Sequence, residues 1–270
     1  MRSLLVWIIP GVIAASGCAP PPQQPIAAAS SPAHPAPAAV LDWRYPEGPN
    51  WGPECAKPPP SQQSPIDFTK TSSFITSPMT ASVVTQGTFD AHDQNVVFGP
   101  AITIDPAPGT GQRSSYAPAG FHFHVPAEHQ TSPRARLEMH VKTTDQLGNT
   151  AVFGILWRED PGPNGKPDPT LAAALQAISG HTSVDLSPIL SNFTRAPFYS
   201  YLGSLTTPNC QTGIRWYVLQ TPLLVAPTQL GEITSALARA GTPPANSRNP
   251  QPFQSNPPLT VHLVTPSPGG

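Results

Sequence analysis

Short runs of apolar residues, or of alternating apolar and polar residues, dominate the middle of this chain, and turn residues separate them. Runs of this kind are typical of β-strands. We predict strands over residues 81–84, 95–98, 101–104, 120–125, 136–142, 150–157, 213–220 and 259–264. Two stretches have helical character, 169–178 and 228–239, the second with Thr228 as its N-cap. The pattern therefore predicts one mainly β domain with a few peripheral helices.

Proline marks the ends and the loops of this domain. The 270 residues include 39 prolines, and because interior strands do not accept proline, these residues indicate linkers and turns. Residues 19–40 are rich in Pro and Ala and predict a disordered tether. The globular domain is expected over residues 41–264, and a disordered tail over 265–270.

The first 18 residues have the features of a secretory signal. Arg2 precedes an apolar run, Leu4–Ala15, that is too short for a comfortable membrane span. Small residues directly before Cys18 resemble a bacterial lipoprotein signal, in which Cys18 is lipidated and becomes the mature N-terminus. An ordinary cleaved signal with an incidental cysteine is the alternative. We expect export to the periplasm or cell envelope, with a lipid anchor at Cys18 as the contact with a bacterial membrane.

The charge of the chain bears on its possible partners, and its cysteines bear on its redox environment. Charged residues make up 11% of the chain and the formal net charge is -1, which gives no indication of a nucleic-acid partner. Export predicts an oxidising compartment, so Cys55 and Cys210 are candidates for one disulfide. Two free thiols remain the alternative at this stage.

Three histidines have the spacing of a metal site. His122 and His124 share one face of a strand, because side chains alternate along it, and a returning strand can bring His140 beside them. Three imidazoles with an open fourth position are typical of catalytic zinc. Glu138 shares the face of His140 and is predicted to accept a ring N–H from a metal-bound histidine. Glu128, in a following turn, is placed to orient a serine or threonine hydroxyl near the metal.

One other metal-binding class fits part of this pattern. His122 and His124 followed by Glu128 also satisfy the first metal motif of cupins, which would indicate an oxygenase, an isomerase or a sugar-binding protein. That motif carries glycines at places that Tyr116 and Ala135 occupy here. A second cupin histidine block is also missing from the sequence.

Several motifs in a fixed order carry a more specific resemblance. The order is Gln63-Ser64-Pro65-Ile66-Asp67, Phe121-His122-Phe123-His124, Ala127-Glu128-His129, Leu137-Glu138-Met139-His140 and Gly203-Ser204-Leu205-Thr206-Thr207-Pro208, followed by residues 246–252. Together they resemble an α-class carbonic anhydrase of the bacterial secreted or lipoprotein type. This resemblance implies a central, twisted, largely antiparallel sheet of about ten strands. It also implies a zinc lyase (carbonate dehydratase) that interconverts carbon dioxide and bicarbonate and binds sulfonamide or anion inhibitors.

The resemblance assigns roles to the residues around the metal. His122, His124 and His140 would bind Zn2+, and Glu138 would support one of them. Thr206 would accept a hydrogen bond from zinc-bound hydroxide and donate its own proton to Glu128.

The remaining implied roles concern substrate, proton and redox chemistry. Thr206 N–H would hold bicarbonate, with Thr207 beside it. His92 would shuttle protons to bulk solvent. An apolar wall for carbon dioxide would be formed by Val152, Leu205 and Trp216, and Asn95 would line the same cavity. The resemblance also implies a disulfide between Cys55 and Cys210.

Three positions depart from the family pattern. Gly120 stands where a glutamine usually supports a zinc histidine, and Lys142 stands where a small apolar residue usually faces the cavity. Lys142 either points into the site or is turned outward by a strand irregularity. Asn209 replaces a usual proline. A zinc-binding but weakly active or inactive surface protein of the same family is the alternative function.

Overall fold

The computed structural model describes residues 44–48, 51–56, 62–70, 74–83, 88–90, 102–105, 113–162, 165–180, 183–239, 241–243, 245–252 and 259–266. The predicted signal, Cys18, the tether and the strand over 95–98 lie outside these residues, as do His92 and Asn95. Within the described part, no helix is both long and apolar enough to cross a membrane.

The described residues are mainly β, as predicted. The strands are Ile75–Val83 (β1), Thr88–Asp90 (β2), Ile102–Asp105 (β3), Ser114–His124 (β4), Leu137–Asp145 (β5), Thr150–Glu159 (β6), Ser183–Asp185 (β7), Phe198–Ser204 (β8), Thr212–Leu219 (β9), Leu223–Val225 (β10) and His262–Pro266 (β11). The α-helices are Pro169–Gly180 (α1), Ser187–Leu190 (α2) and Pro227–Arg239 (α3), with 3-10 turns at Phe68–Lys70 and Ser191–Thr194.

The main sheet is mixed, which corrects the expectation of a largely antiparallel sheet of ten strands. Over the described residues it has nine strands in the order β10-β6-β5-β4-β3-β1-β11-β8-β9, and β6 also pairs with β9. The pairs β1–β11, β6–β9 and β6–β10 are parallel. Parallel neighbouring strands need long connections between them. The connections from β6 to β9 and β10 contain helices, and β11, the partner of β1, lies far along the chain near its C-terminal end.

The two faces of this sheet build two different cores. Alternate residues of β6 point to opposite sides, so Phe153, Ile155 and Trp157 enter a large core that also contains residues of α1 and α3. Val152 and Leu156 enter a second core on the other face. The three histidines belong to the face of the second core, because His140 pairs with the β6 residue between Val152 and Leu156.

Several predicted elements differ from the structure; for example, β1 begins at Ile75 rather than at residue 81, and β4 begins at Ser114 rather than at residue 120. Strand β8 was not predicted, because nearly all of its residues are buried and the sequence shows no alternation. Helix α3 begins at Pro227, so Thr228 lies inside the first turn and is not the cap. Strand β11 continues to Pro266, two residues into the predicted tail, because Thr265 and Pro266 pair with β1.

The predicted disulfide is confirmed. Cys55 and Cys210 are 155 residues apart in sequence, with their Cα atoms 5.1 Å apart and their sulfurs bonded. Gln63 Nε2 donates to the Cys210 carbonyl (3.3 Å), and the Arg248 guanidinium donates to the Cys55 carbonyl (3.0 Å). The disulfide thus ties an early segment of the domain to the loop that follows Thr207.

Removing this disulfide should lower stability without changing the fold. The double variant Cys55→Ser/Cys210→Ser is expected to lose about 2–5 kcal/mol of unfolding free energy, because its unfolded chain gains loop entropy. Urea denaturation followed by tryptophan fluorescence measures the difference. The reduced wild-type protein is the control and should match the double variant. Equal midpoints for the oxidised protein and the double variant would contradict a stabilising role.

Candidate metal centre

Two neighbouring strands bring the three histidines together. His122 and His124 lie two residues apart on β4, and His140 on β5 is the direct cross-strand partner of His122. One ring nitrogen from each histidine lies within 4.8 Å of the other two. The ring centroids are 4.5–5.2 Å apart. The grouping predicted from the sequence is therefore present.

In two of these rings, hydrogen bonds determine which nitrogen keeps an available lone pair. His124 Nδ1 donates to the Asn246 carbonyl at 2.6 Å, so its Nε2 carries the lone pair, and that buried nitrogen has no hydrogen-bond partner. His140 Nε2 donates to Glu138 Oε1 at 2.9 Å, which leaves the lone pair on Nδ1. A buried acceptor nitrogen without a donor is costly unless a cation binds it.

The electrostatic environment keeps these imidazoles neutral. Burial, followed by the charge of His140, lowers the pKa of His122 to about 3. Burial and the other two rings place the pKa of His124 well below its usual value, and burial lowers the pKa of His140. Neutral imidazole is the metal-binding form. Three such nitrogens in one cluster fit Zn2+, for which imidazole is a preferred ligand.

The buried Glu138 carboxylate is the hydrogen-bond acceptor shared by several groups of the site. It is fully buried and accepts four hydrogen bonds: the backbone N–H groups of Glu128 and His129 at 2.8 Å each, His129 Nδ1 at 2.6 Å and His140 Nε2 at 2.9 Å. Burial alone would raise its pKa, but the two histidines outweigh burial and hold the pKa well below the usual value. Glu138 is therefore an ionised acceptor.

The polar chain continues beyond Glu138 into the core. His129 Nε2 lies 2.7 Å from the Tyr201 hydroxyl, which lies 2.9 Å from Ser64 Oγ. Ser64 Oγ also accepts the backbone N–H of Ser204 at 3.1 Å. Both ring nitrogens of His129 are thus engaged, and its ring orients Glu138 rather than binding a metal.

Gly154 makes room for the Glu138 carboxylate. It pairs with His140 across β5 and β6. A Cβ added at this glycine would lie 3.0 Å from Glu138 Oε1 and 3.2 Å from a methyl carbon of Val218. Side chains rarely tolerate such approaches, so the missing Cβ is what lets the carboxylate reach His140.

Glu128 and Thr206 form the other side of the site. Glu128 is 1% exposed, and its Oε1 accepts the backbone N–H of Arg248 at 2.8 Å and lies 3.2 Å from His124 Nδ1. Burial and the negative charge of Glu138 raise its pKa well above the usual value, while Arg248 and the Thr206 side chain oppose the rise. Among the described residues, its Oε2 has no hydrogen-bond partner.

The loop after β8 carries Thr206 and the predicted apolar wall. Leu205 N–H donates to the Gln211 carbonyl at 2.9 Å, which holds the buried Thr206 in place, and Thr207 is half-buried beside it. Val152 and Trp216 pair across β6 and β9 in one core cluster, with Leu205 packed against it. The Trp216 ring centroid is 4.7 Å from that of His140.

The sequence did not single out several residues that shape this site. They are Ser64, Gly154, Tyr201, Asn246 and Arg248. Asn246 serves His124 twice, through its carbonyl and by fixing the adjacent backbone of Val125 and Phe123 with its amide. Arg248 is fully buried and supports Glu128. The available signals were weak: an isolated glycine within a strand pattern for Gly154, and the C-terminal motif for Asn246 and Arg248.

The structure also places the three unusual residues. Pairing of β5 with β6 is unbroken from Leu137 to Thr144, so Lys142 shares the face of His140, and its side chain is exposed. The irregularity lies instead in β4, between Pro118 and Gly120, where Gly120 adopts a φ of 153°. Among the described residues, no hydrogen bond engages the His122 ring. The peptide bond from Pro208 to the exposed Asn209 is cis.

Filling the space at Gly154 should weaken metal binding. In Gly154→Ala the new Cβ pushes the Glu138 carboxylate away from His140, and the zinc affinity is expected to fall about 10-fold. Chelator competition on the purified protein measures this affinity. Gly231→Ala is the matched control, because nothing lies within 4 Å of the added Cβ on α3. The control should keep its zinc affinity and gain about 0.5–1 kcal/mol of helix stability. Equal zinc affinity in both variants would contradict the role of Gly154.

The comparisons with known proteins agree with this geometry. Residues 47–257 match the family model described as eukaryotic-type carbonic anhydrase. A carbonic anhydrase of Pectobacterium carotovorum is 28% identical over 200 residues, or 69% of this chain and 77% of that protein. One of Pectobacterium atrosepticum is 29% identical over 164 residues, and the match spans 57% of this chain and only 62% of that protein.

A solved structure gives the same result at the level of the fold. Carbonic anhydrase Cah3 from Chlamydomonas reinhardtii, in complex with acetazolamide, superposes with a TM-score of 0.58 at 25% identity, covering 82% of this chain and 98% of that chain. The resemblance to an α-class carbonic anhydrase is thereby confirmed. Because the family model matches well over half of its residues, this chain belongs to the eukaryotic-type, or α-class, carbonic anhydrase family.

Proposed function

We propose that this protein catalyses the reversible hydration of carbon dioxide to bicarbonate and a proton, with Zn2+ held by His122, His124 and His140. One observation carries the proposal: one ring nitrogen from each neutral imidazole lies within 4.8 Å of the other two, and among the described residues the lone pair on the buried His124 Nε2 has no partner. The relatives named carbonic anhydrase support the reaction class. A zinc ion there supplies a nucleophile at neutral pH by lowering the pKa of its water to about 7, the value established for carbonic anhydrases.

Glu128 and Thr206 orient the nucleophile in this proposal. The unpartnered Glu128 Oε2 is the acceptor that we assign to the Thr206 hydroxyl. A hydroxyl that donates its one proton to a carboxylate can only accept hydrogen bonds from other groups. The Thr206 hydroxyl would therefore accept a hydrogen bond from a donor at the metal site. This role needs Glu128 in its ionised form. A divalent cation held by His124 would lower the pKa of the nearby carboxyl and favour that form.

The apolar wall suits an uncharged substrate. Val152 and Trp216 are 3% and 1% exposed. The Trp216 indole N–H already donates to the Ser204 carbonyl at 2.9 Å, so the ring offers no free donor toward the site. We propose that carbon dioxide lies against Val152, Leu205 and Trp216, with the Thr206 N–H and Thr207 beside the product. We also propose sulfonamide binding at this site, since the Chlamydomonas structure contains acetazolamide.

His92 completes the proposed mechanism as the proton shuttle, with Asn95 in the same cavity. Both assignments rest on the sequence motif. An imidazole with an ordinary pKa of about 6.5 both accepts and releases a proton near neutral pH.

We further propose that the protein is exported and carries a lipid at Cys18. The Cys55–Cys210 disulfide supports export, because disulfides persist in oxidising compartments.

Removing the Thr206 hydroxyl should slow turnover and leave the metal in place. Thr206→Ala is expected to lower kcat for carbon dioxide hydration about 100-fold, since the nucleophile loses its orienting acceptor. Stopped-flow hydration and a zinc assay on the same sample measure both quantities. Thr206→Ser keeps the hydroxyl and should stay within about fivefold of wild type. Wild-type turnover in Thr206→Ala would remove Thr206 from the mechanism. Zinc bound to the wild-type protein without any hydration would contradict the proposed function itself.

Removing the shuttle should slow only proton transfer. His92→Ala is expected to lower kcat about 10-fold in dilute buffer and to leave kcat/KM unchanged, because proton release follows the chemical step. Added imidazole buffer should restore kcat. Stopped-flow rates at increasing imidazole concentration measure the rescue. A rate that does not depend on buffer in His92→Ala would exclude His92 as the shuttle.

A further inference from the structure

We propose that Lys142 is an anion-binding residue at the exposed end of the metal-site face, where it binds bicarbonate. This inference rests on the proposed function, because it takes bicarbonate as the anion that reaches the three histidines. It adds a specificity-determining residue that the zinc, threonine and shuttle assignments do not include.

The register of the sheet places Lys142 next to the histidines. Glu138, His140 and Lys142 alternate along β5 and therefore share one face. His140 is opposite His122, and Lys142 is opposite Gly120, two pairs further along the same two strands and therefore the next pair on the same face. On its other side Lys142 pairs with Val152 of the apolar wall. Lys142 thus lies diagonally across from His122 and directly beside the proposed carbon dioxide wall.

Side-chain exposure along this face of β5 is lowest at Glu138 and His140 and highest at Lys142. Glu138 is 0% exposed and His140 is 1% exposed, whereas Lys142 is exposed. Lys142 therefore lies where the site face meets solvent.

The two cross-strand neighbours of Lys142 cannot neutralise it. Gly120 has no side chain, and Val152 has no acceptor. Within the described ranges, no ion pair or hydrogen bond engages the Lys142 side chain. The carboxylates of the site face, Glu128 and Glu138, are buried and hold the Arg248 N–H and the histidines instead. A cation without a protein counter-charge, beside imidazoles that are themselves neutral, favours an anion as its partner.

Such a charge distinguishes the two reactants. Carbon dioxide is uncharged, so Lys142 has no first-order effect on its binding. Bicarbonate carries one negative charge, and a cation at the edge of the site favours it about five- to tenfold at the dielectric of a protein surface. Because the ammonium is exposed, this preference weakens as ionic strength rises.

The test compares Lys142→Gln, which removes the charge at similar length, with Lys142→Arg, which keeps it. Lys166→Gln is the matched control, because it removes the same charge from an exposed position in the loop before α1. For each protein, stopped flow gives the KM for bicarbonate and the KM for carbon dioxide. Independently of activity, visible absorption of the cobalt(II)-substituted protein during a thiocyanate titration gives an anion Kd.

We expect Lys142→Gln to raise both the bicarbonate KM and the thiocyanate Kd about fivefold, with a change below about twofold in the KM for carbon dioxide. Lys142→Arg and Lys166→Gln should remain within about twofold of wild type, and the Lys142→Gln effect should shrink at high salt. The inference is overturned if Lys142→Gln behaves like Lys166→Gln in both measurements, or if Lys142→Arg loses anion affinity equally. A wild-type protein that does not hydrate carbon dioxide would refute the proposed function, and the thiocyanate titration would still decide the role of Lys142.

Discussion

The buried carboxylate of Glu138 is the contact on which the rest of the site depends. An ionised carboxylate away from water is stable only when donors surround it. Here two donors are backbone N–H groups of the Glu128-His129 turn and two are imidazoles. The same charge therefore fixes the turn that carries Glu128 and the tautomer of His140. Removing one of these partners would leave a charge without compensation, which is why the network is expected to behave as a unit.

A second, sequence-distant segment closes the site from the opposite side. The carbonyl of Asn246 determines the tautomer of His124, and the N–H of Arg248 holds Glu128. The Arg248 guanidinium in turn binds Gln63 Oε1, the Ser64 carbonyl and the Glu47 carboxylate. The proposed metal ligands thus come from two adjacent strands, whereas their supports come from both ends of the domain. The disulfide joins the early segment to the Thr206 loop and so links two of the segments that surround the site.

The sequence predicted the parts of the site that depend on local geometry. The face shared by His122 and His124, and that shared by Glu138 and His140, follow from a period of two. Long-range supports have no such signal: Asn246 is 122 residues from His124, and Ser64 is 137 residues from Tyr201. Strand β8 was missed because burial on both faces removes the alternation, and the parallel pairs of the sheet depend on crossovers that no local pattern encodes. The motif resemblance supplied the disulfide pairing, which spacing alone left open.

Burial gives the three histidines a chemical advantage beyond their positions. A metal ion competes with protons for imidazole nitrogen. In this site desolvation, reinforced by the neighbouring rings, lowers the pKa of His122 to about 3 and shifts His124 and His140 in the same direction. At neutral pH the metal therefore displaces no proton from these rings. The Glu138 carboxylate, whose negative charge would counter this effect, accepts hydrogen bonds from the rings of His129 and His140. The site thus keeps neutral ligands inside and a cation at its edge, a distribution that suits an uncharged substrate and an anionic product.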